Sequence, residues 1–401
     1  MTRYTYLIVG GGMAAAAAVN GIRELDGAGT IGLIGAEPER PYNRPPLSKG
    51  LWRGDSLDGI WASFPDQGVD LHLGRTAVAL HAKRHEVIDD QGSTYSYERL
   101  LLATGGTPRR LPYGGDQILY YRTLRDYQAL RARLARGGRV AVIGGGFIGS
   151  EIAAALAGSG VAVSLIFPGR GIGASTYPPD LVAFLGEYYR DKGVDLHPDT
   201  SVTGIAAREN GYVLQLTHTE TGQARELGAD HVVAGIGIEP NTALASAGGL
   251  EVQDGVLVDP FLRTSAPDVY AAGDVARYPD AVLGKRRRVE HEDQAVTMGR
   301  AAGRAMAGAA EPYRHLPFFY SDLFDLGYEA VGDLDSGMQL VADWKKPFRK
   351  GVIYYLLQGR VRGVLLWNTW NQVDAARALI AAPGPFQPED LIGRLPAKKP
   401  A

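Results

Sequence analysis

The sequence predicts an α/β protein with two Rossmann-like nucleotide-binding domains, one inserted in the other, followed by a C-terminal α+β domain with an antiparallel sheet. Three observations predict it. Two glycine fingerprints of one type, Gly10-x-Gly12-x-x-Ala15 and Gly144-x-Gly146-x-x-Gly149, stand 134 residues apart. Each ends a strand-like apolar run, Tyr6-Leu7-Ile8-Val9 or Val140-Ala141-Val142-Ile143, and opens a stretch of small residues with helical character, which is the context the motif requires. From about Phe318 the pattern changes to aromatic and β-branched runs punctuated by turns, the mark of antiparallel strands.

In each fingerprint the first glycine permits a tight turn, the second lets the backbone approach a pyrophosphate, and the third small residue lets helix and strand pack closely. Phosphate then sits on the helix N-terminus, where unpaired N–H groups and the helix dipole favour negative charge. Two fingerprints therefore imply two dinucleotides on one chain. The first unit has a second strand at Ile31-Gly32-Leu33-Ile34 that ends near Glu37, 22 residues beyond Ala15. At that spacing a carboxylate accepts hydrogen bonds from an adenosine ribose; the alternative is a solvated loop acid. In the second unit the helix Phe147–Ala157 and the strand Val161–Phe167 follow in the order of a βαβ crossover. Residues 264–274 then read as a turn, a short buried strand and an acid, Asp274, at the strand end, where open α/β sheets place ligand contacts.

One nucleotide domain, residues 1–111 and 238–317, is thus interrupted by the other, residues 112–237. In the last domain, residues 318–401, Gly351–Leu357, Gln358-Gly359-Arg360 and Val361–Trp367 read as a hairpin. Asn371–Ala382 reads as a short helix, and Pro396 with Lys398-Lys399-Pro400 as a loose tail.

With 401 residues, 45% of them hydrophobic, the chain can bury large cores. Its formal net charge of −2 gives no global drive toward nucleic acid or an anionic membrane. The first strand is reached by about Thr5, which leaves no room for a signal or transit peptide, and no apolar run approaches the roughly 18 residues that span a bilayer. The expectation is a soluble, cytoplasmic protein. The chain has no cysteine, which excludes a redox-active cysteine pair and an all-cysteine iron–sulfur centre within it. Electrons must pass from one nucleotide cofactor to another and then to something external. The eight histidines are scattered without zinc spacing, so no metal site is expected.

Six motifs, in order, resemble the FAD-dependent, NAD(P)H-oxidising reductases of the ferredoxin reductase type, the oxygenase-coupled group that includes the bacterial relatives of apoptosis-inducing factor. They are the first fingerprint, Arg44-Pro45-Pro46-Leu47-Ser48-Lys49, Ala103-Thr104-Gly105-Gly106, the second fingerprint with Glu151, Tyr270-Ala271-Ala272-Gly273-Asp274, and Arg288-Val289-Glu290-His291. The resemblance implies that Gly10, Gly12, Ala15 and Glu37 hold the FAD adenosine and pyrophosphate, that Arg44 and Lys49 lie along the flavin, and that Asp274 binds the ribityl chain. Pro45, Ala103, Thr104, Gly105, Gly237 and Gly273 join the cofactor-binding set by the same resemblance. Lys49 and Glu151 resemble the pair near flavin N5; a cation there stabilises reduced flavin while its partner keeps the buried charge satisfied.

Gly144, Gly146 and Gly149 would bind the nicotinamide nucleotide. Phe147 resembles the aromatic beside the nicotinamide, with simple helix packing as its alternative. Glu290 and His291 resemble the pair lining the face between the two rings. The acid that would select NADH is absent from Phe167-Pro168-Gly169-Arg170, and Arg170 could instead take a 2′-phosphate, so NADH and NADPH both stay open.

The implied acceptor is a [2Fe–2S] ferredoxin serving an oxygenase or cytochrome P450, with no nucleic acid or membrane partner and a monomer or homodimer as the working form. Glu292 stands where the oxygenase-coupled reductases carry Trp, which brings the chain nearer apoptosis-inducing factor. Phe319-Tyr320-Ser321-Asp322, with Tyr320 as the expected aromatic near the flavin, and Gly327-Tyr328-Glu329-Ala330-Val331-Gly332 point the same way. A redox-sensing flavoprotein, a reductase of a quinone or other small oxidant, and a flavin monooxygenase are the other readings. Lys285-Arg286-Arg287-Arg288 reads as a hairpin tip that either docks an acidic partner or is a solvated turn.

Overall fold

The computed structural model describes residues 1–395, and the tail expected from Pro396 lies outside them. The described residues form two compact units. The first comprises Met1–Arg44, Ser56–Thr107 and Glu239–Phe318; the second comprises Pro45–Asp55, Pro108–Ile238 and the described residues from Phe319 on.

The first unit is built on a seven-stranded sheet. Val69–Leu73, Ile31–Gly35, Thr2–Val9 and Thr94–Leu102 run parallel in that order, Val269–Ala271 also pairs in parallel with Thr94–Leu102, and Glu86–Asp89 with Ala77–His81 extends the other edge antiparallel. The central strands end in buried apolar runs, Tyr6–Val9, Ile31–Ile34 and Leu100–Leu102, as strands covered on both faces do. One cover is the pair of helices Met13–Arg23 and Glu292–Met306, which approach to backbone contact. A Cβ on Gly299 would stand 2.2 Å from the Ala14 carbonyl oxygen, and one on Gly303 2.1 Å from that of Ala18. The alanine run after the first fingerprint is therefore a packing surface matched to those two glycines.

In the second unit a parallel sheet of five strands runs Val194–His197, Ala162–Ile166, Arg139–Ile143, His231–Ala234, Ile118–Tyr120. An antiparallel meander, Thr200–Arg208, Gly211–His218 and Ala224–Ala229, packs with it through one core that joins Val202, Leu214 and Leu216 to Ala141, Ile166 and Val232. The C-terminal sheet orders Phe318–Leu323, Leu326–Gly332, Arg360–Trp367, Lys350–Leu357 and Gln339–Lys346, with the helix Val373–Ala381 against it. Its hairpin turns through Gln358 and Gly359, both at positive φ (53° and 71°), as a two-residue I′ turn requires.

The unit boundaries differ from the sequence reading at two points. The C-terminal sheet groups with the second nucleotide fold instead of standing as a separate body. Residues 45–55, which the sequence order assigns to the first nucleotide unit, also group with the second. The cause is Trp52, buried at 5% exposure, whose Nε1 donates to the Leu47 carbonyl and the Tyr121 hydroxyl at 2.8 and 3.1 Å. Tyr127 Oη and Ser159 Oγ donate to the carbonyls of Leu51 and Trp52. No helix among the described residues is long and apolar enough to cross a membrane.

Candidate nucleotide cradles and buried ion pair

At the first fingerprint, Gly10 has φ 130°, and a Cβ there would sit 2.0 Å from the Ala103 carbonyl oxygen. The register Val9↔Leu102↔Ala271 brings Gly10, Ala103 and the Ala272-Gly273-Asp274 turn to one carboxyl edge of the parallel sheet. Gly12 caps the helix Met13–Arg23 with no side-chain cap and no acid in the first turn, and nothing lies within 4 Å of its Cβ position. Ala15 is fully buried beneath it. The helix end thus keeps its N–H groups and positive dipole for an incoming anion.

Glu37 is no solvated loop acid. Tyr42 Oη donates to its Oε2 at 2.5 Å and Arg44 Nη2 to its Oε1 at 2.7 Å, and the pair is about three-quarters shielded from solvent. Arg44 is thereby tied to the acid at the end of the second strand. Thr104 and Gly105 are stapled by Asn241, which accepts at its carbonyl from Thr104 Oγ1 and donates from Nδ2 to the Thr104 carbonyl and from its N–H to that of Gly105. Nothing in the sequence flagged Asn241.

Asp274 follows Gly273, which has φ 75° and would carry its Cβ 2.9 Å from that of Ala14. Its own carbonyl accepts from Arg288, and Arg288 Nη1 also bonds Glu290 Oε1 at 2.5 Å. His291 caps the helix Glu292–Met306, its Nδ1 accepting from Asp293 N at 3.4 Å. Asp293 in turn accepts from His315 Nε2 at 2.5 Å and from Phe318 N at 3.1 Å. Asp293 and His315 are further residues that sequence reasoning missed.

The basic run is not a hairpin tip. Lys285–Arg287 is a strand paired with Ala276–Asp280. Arg286 donates to the Val258 carbonyl, Arg287 pairs with the buried Asp280, and Arg288 with Asp254 and Glu290. Its arginines are used inside the first unit.

In the second unit, Gly144 has φ 116°, with a Cβ position 2.4 Å from the Gly235 carbonyl oxygen, and a Cβ on Gly149 would stand 1.8 Å from that of Gly144. Gly146 caps the helix Phe147–Gly158, again with no side-chain cap, no acid in the first turn and open space around it. Both cradles thus fit a dinucleotide pyrophosphate. Phe147 is 49% exposed on the first turn of this helix, so helix packing does not explain it. Gly237, at φ 91°, accepts from Arg109 N. Arg170 lies just past the strand Ala162–Ile166 and is exposed.

One turn along the same helix, Glu151 is buried and ion-paired with Lys49 Nζ. Ser48 Oγ donates to its Oε2 at 2.8 Å and Ser321 Oγ to its Oε1 at 2.6 Å, while Lys49 Nζ lies 5.1 Å from the Tyr320 ring centroid. The segment anchored by Trp52 delivers Lys49 and Ser48, and the edge strand Phe318–Leu323 delivers Ser321 and Tyr320. A buried ion pair is tolerated only when its remaining lone pairs are met, and the two serines meet them. Burial pushes the Tyr177 and Tyr328 phenols near Glu151 well up from their ordinary values.

The profile of the pyridine nucleotide-disulphide oxidoreductase family matches residues 4–299, and that of the C-terminal part of apoptosis-inducing factor matches residues 302–347 and 342–382. The chain is 35% identical to mitochondrial apoptosis-inducing factor 1 of Dictyostelium discoideum, over 94% of this chain and 78% of that one. It is 34% identical to the ferredoxin–NAD(+) reductase component of the anthranilate 1,2-dioxygenase system of Burkholderia cepacia, over 98% and 97%. A crystal structure of the covalent putidaredoxin reductase–putidaredoxin complex superposes with a TM-score of 0.88 at 30% identity, covering 97% of this chain and 95% of the reductase chain. Lacking cysteine, this sequence does without the disulphide of the family's name. With two open dinucleotide cradles, it belongs to the pyridine nucleotide-disulphide oxidoreductase family and is an NAD(P)H-dependent flavoprotein reductase that uses FAD.

Proposed function

We propose that this chain takes reducing equivalents from NAD(P)H and delivers them singly to a [2Fe–2S] ferredoxin that serves an oxygenase or cytochrome P450. The observation that carries this is the pair of open cradles on a thiol-free chain: two nucleotides can bind, and no cysteine stands between them and an external acceptor. Similarity along nearly the full length of the anthranilate dioxygenase reductase component and of putidaredoxin reductase supports the choice of ferredoxin. Bound FAD supplies the step from two-electron to one-electron chemistry.

The chain's residues supply binding and charge. Gly10, Gly12, Ala15 and Glu37 hold the FAD adenosine and pyrophosphate, and Arg44 fixes Glu37. Gly144, Gly146 and Gly149 hold the nicotinamide nucleotide, with Phe147 exposed at the mouth of that cradle. Lys49 places a positive charge whose orientation is fixed by Glu151, and Glu151 is fixed by Ser48 and Ser321. Such a preset cation favours extra electron density beside it without reorganisation. Glu290 and His291, held by Arg288 and Asp293, complete the set.

The similarity to apoptosis-inducing factor favours a second reading, a redox-responsive flavoprotein with slow turnover. One experiment separates the two. The protein is reduced anaerobically with NADH or NADPH, then mixed with a [2Fe–2S] ferredoxin while the flavin band is followed. Recovery within seconds that depends on the ferredoxin supports the carrier; long-wavelength absorbance that persists in air, with a changed elution volume, supports the sensor.

A further inference from the structure

At the end of the second strand of a Rossmann unit, an acid bonds the 2′-hydroxyl of NAD or an arginine takes the 2′-phosphate of NADP. Here Phe167-Pro168-Gly169-Arg170 offers an arginine and no acid. The fold brings an acid from elsewhere. Asp199 N donates to the Gly169 carbonyl at 2.9 Å, and the Asp199 carbonyl accepts from Thr219 N and Oγ1 at 2.7 and 3.1 Å. Thr219 opens the turn between Gly211–His218 and Ala224–Ala229. His218 closes that turn, its Nδ1 accepting from the N–H groups of Glu220 and Thr221 at 3.3 Å each and its carbonyl from Gly222 N at 2.9 Å.

Three stacked loops thus set Glu220 Oε1 4.0 Å from Arg170 Nη2, with side chains 65% and 84% exposed. The other cation of this corner, Arg225, points its Nη2 at His197 Nδ1, 2.6 Å away, and His197 Nε2 faces Asp195 at 2.9 Å.

We infer that Arg170 and Glu220 jointly set nucleotide preference: Arg170 recruits a 2′-phosphate, and Glu220, supplied by the meander from outside the βαβ unit, restrains that recruitment so that NADH and NADPH are both used. The inference rests on the second fingerprint being the NAD(P)H site. An exposed pair at this distance holds weakly, whereas an arginine–phosphate contact is charge-assisted and often bidentate. A phosphate therefore draws Arg170 away from Glu220 with little opposition. The carboxylate left beside it then repels the dianion, and in its absence remains an acid within the ribose corner.

The test titrates AMP and adenosine 2′,5′-bisphosphate calorimetrically into FAD-loaded wild type, Arg170→Gln and Glu220→Gln, with kcat and KM for NADH and NADPH measured alongside. Arg170→Gln is expected to weaken the bisphosphate about tenfold and leave AMP within about twofold. Glu220→Gln is expected to tighten the bisphosphate roughly threefold to tenfold with AMP unchanged, and both shifts shrink at high salt. In turnover the changes fall in KM for NADPH, with kcat held. Equal weakening of both probes in Arg170→Gln, or an unchanged bisphosphate-to-AMP ratio in Glu220→Gln, overturns the inference. If wild type binds neither probe, the failure lies one level down, in the assignment of the second fingerprint.

Discussion

The two cradles share one backbone plan and differ in everything around it. Around the first, the acid after the second strand is locked, Glu37 receiving Tyr42 and Arg44, and the fingerprint helix is pinned to its neighbour through Gly299 and Gly303. Around the second, the corresponding corner holds an exposed arginine and a loosely placed acid, and the fingerprint helix presents Phe147 and Ile148 to solvent, 49% and 44% exposed. The difference matches a nucleotide that stays and a nucleotide that comes and goes. Rigidity lowers the entropy lost on binding and lengthens residence, which suits a resident FAD; an open rim suits a substrate that must leave after each turnover.

The largest effects should come from breaking the cradles one at a time. Gly149→Ala drives a Cβ to 1.8 Å from the Gly144 carbonyl, and overpacking of that kind is expected to weaken NAD(P)H binding on the order of 100-fold while the purified protein stays yellow. Gly10→Ala, at φ 130° and 2.0 Å from the Ala103 carbonyl, should yield colourless protein instead. Absorbance of the two purified variants, with nucleotide titration of the first, checks the contrast.

Lys49→Met should act on stability. It leaves Glu151 buried with only Ser48 and Ser321 as donors, and an uncompensated buried charge costs about 3–5 kcal/mol. Lys49→Met combined with Glu151→Gln should recover most of that stability in urea unfolding but not the rate of flavin reduction, because the preset cation is still missing.

Acid should act on the first unit through Asp89. Burial raises this carboxyl, but Arg75, Tyr95 and the Ser93 and Gln91 N–H groups outweigh it and hold the pKa down at about 2. A group depressed in the fold stabilises above its unfolded value, near 3.9, and that share is lost as pH falls through about 2. The loss is about 2 kcal/mol on the order of magnitude, and Asp89→Asn should flatten the stability profile in that window.

Phe147→Ala should be the mildest. With half its surface in solvent it contributes little to folding, within about 0.5 kcal/mol, so its effect is expected in KM for NAD(P)H and not in urea unfolding.

What could be read from the sequence was local. Both fingerprints, the strands feeding them and the hairpin at Gln358-Gly359 follow from short spacings and turn chemistry, and the structure shows those elements within a few residues of the expected positions. Relations across long separations were out of reach. Glu151 meets Ser48 and Ser321 from 103 and 170 residues away, and Glu220 reaches Arg170 only through loops stacked by backbone bonds. The reading of Lys285–Arg288 as an open basic tip failed for the same reason, since Val258 and Asp254 lie far back along the chain. Residues 45–55 sit with the second unit because Trp52 finds Tyr121, a pairing that no period or spacing announces.

Both dissociation rates should be measured on one preparation, by gel filtration and dilution of protein saturated with NAD⁺. FAD is expected to stay near one per chain while NAD⁺ washes out and fresh NAD(P)H still bleaches the flavin band. Release of FAD as fast as NAD⁺, or retention of NAD⁺ with loss of FAD, would contradict the division into a resident and an exchanging nucleotide.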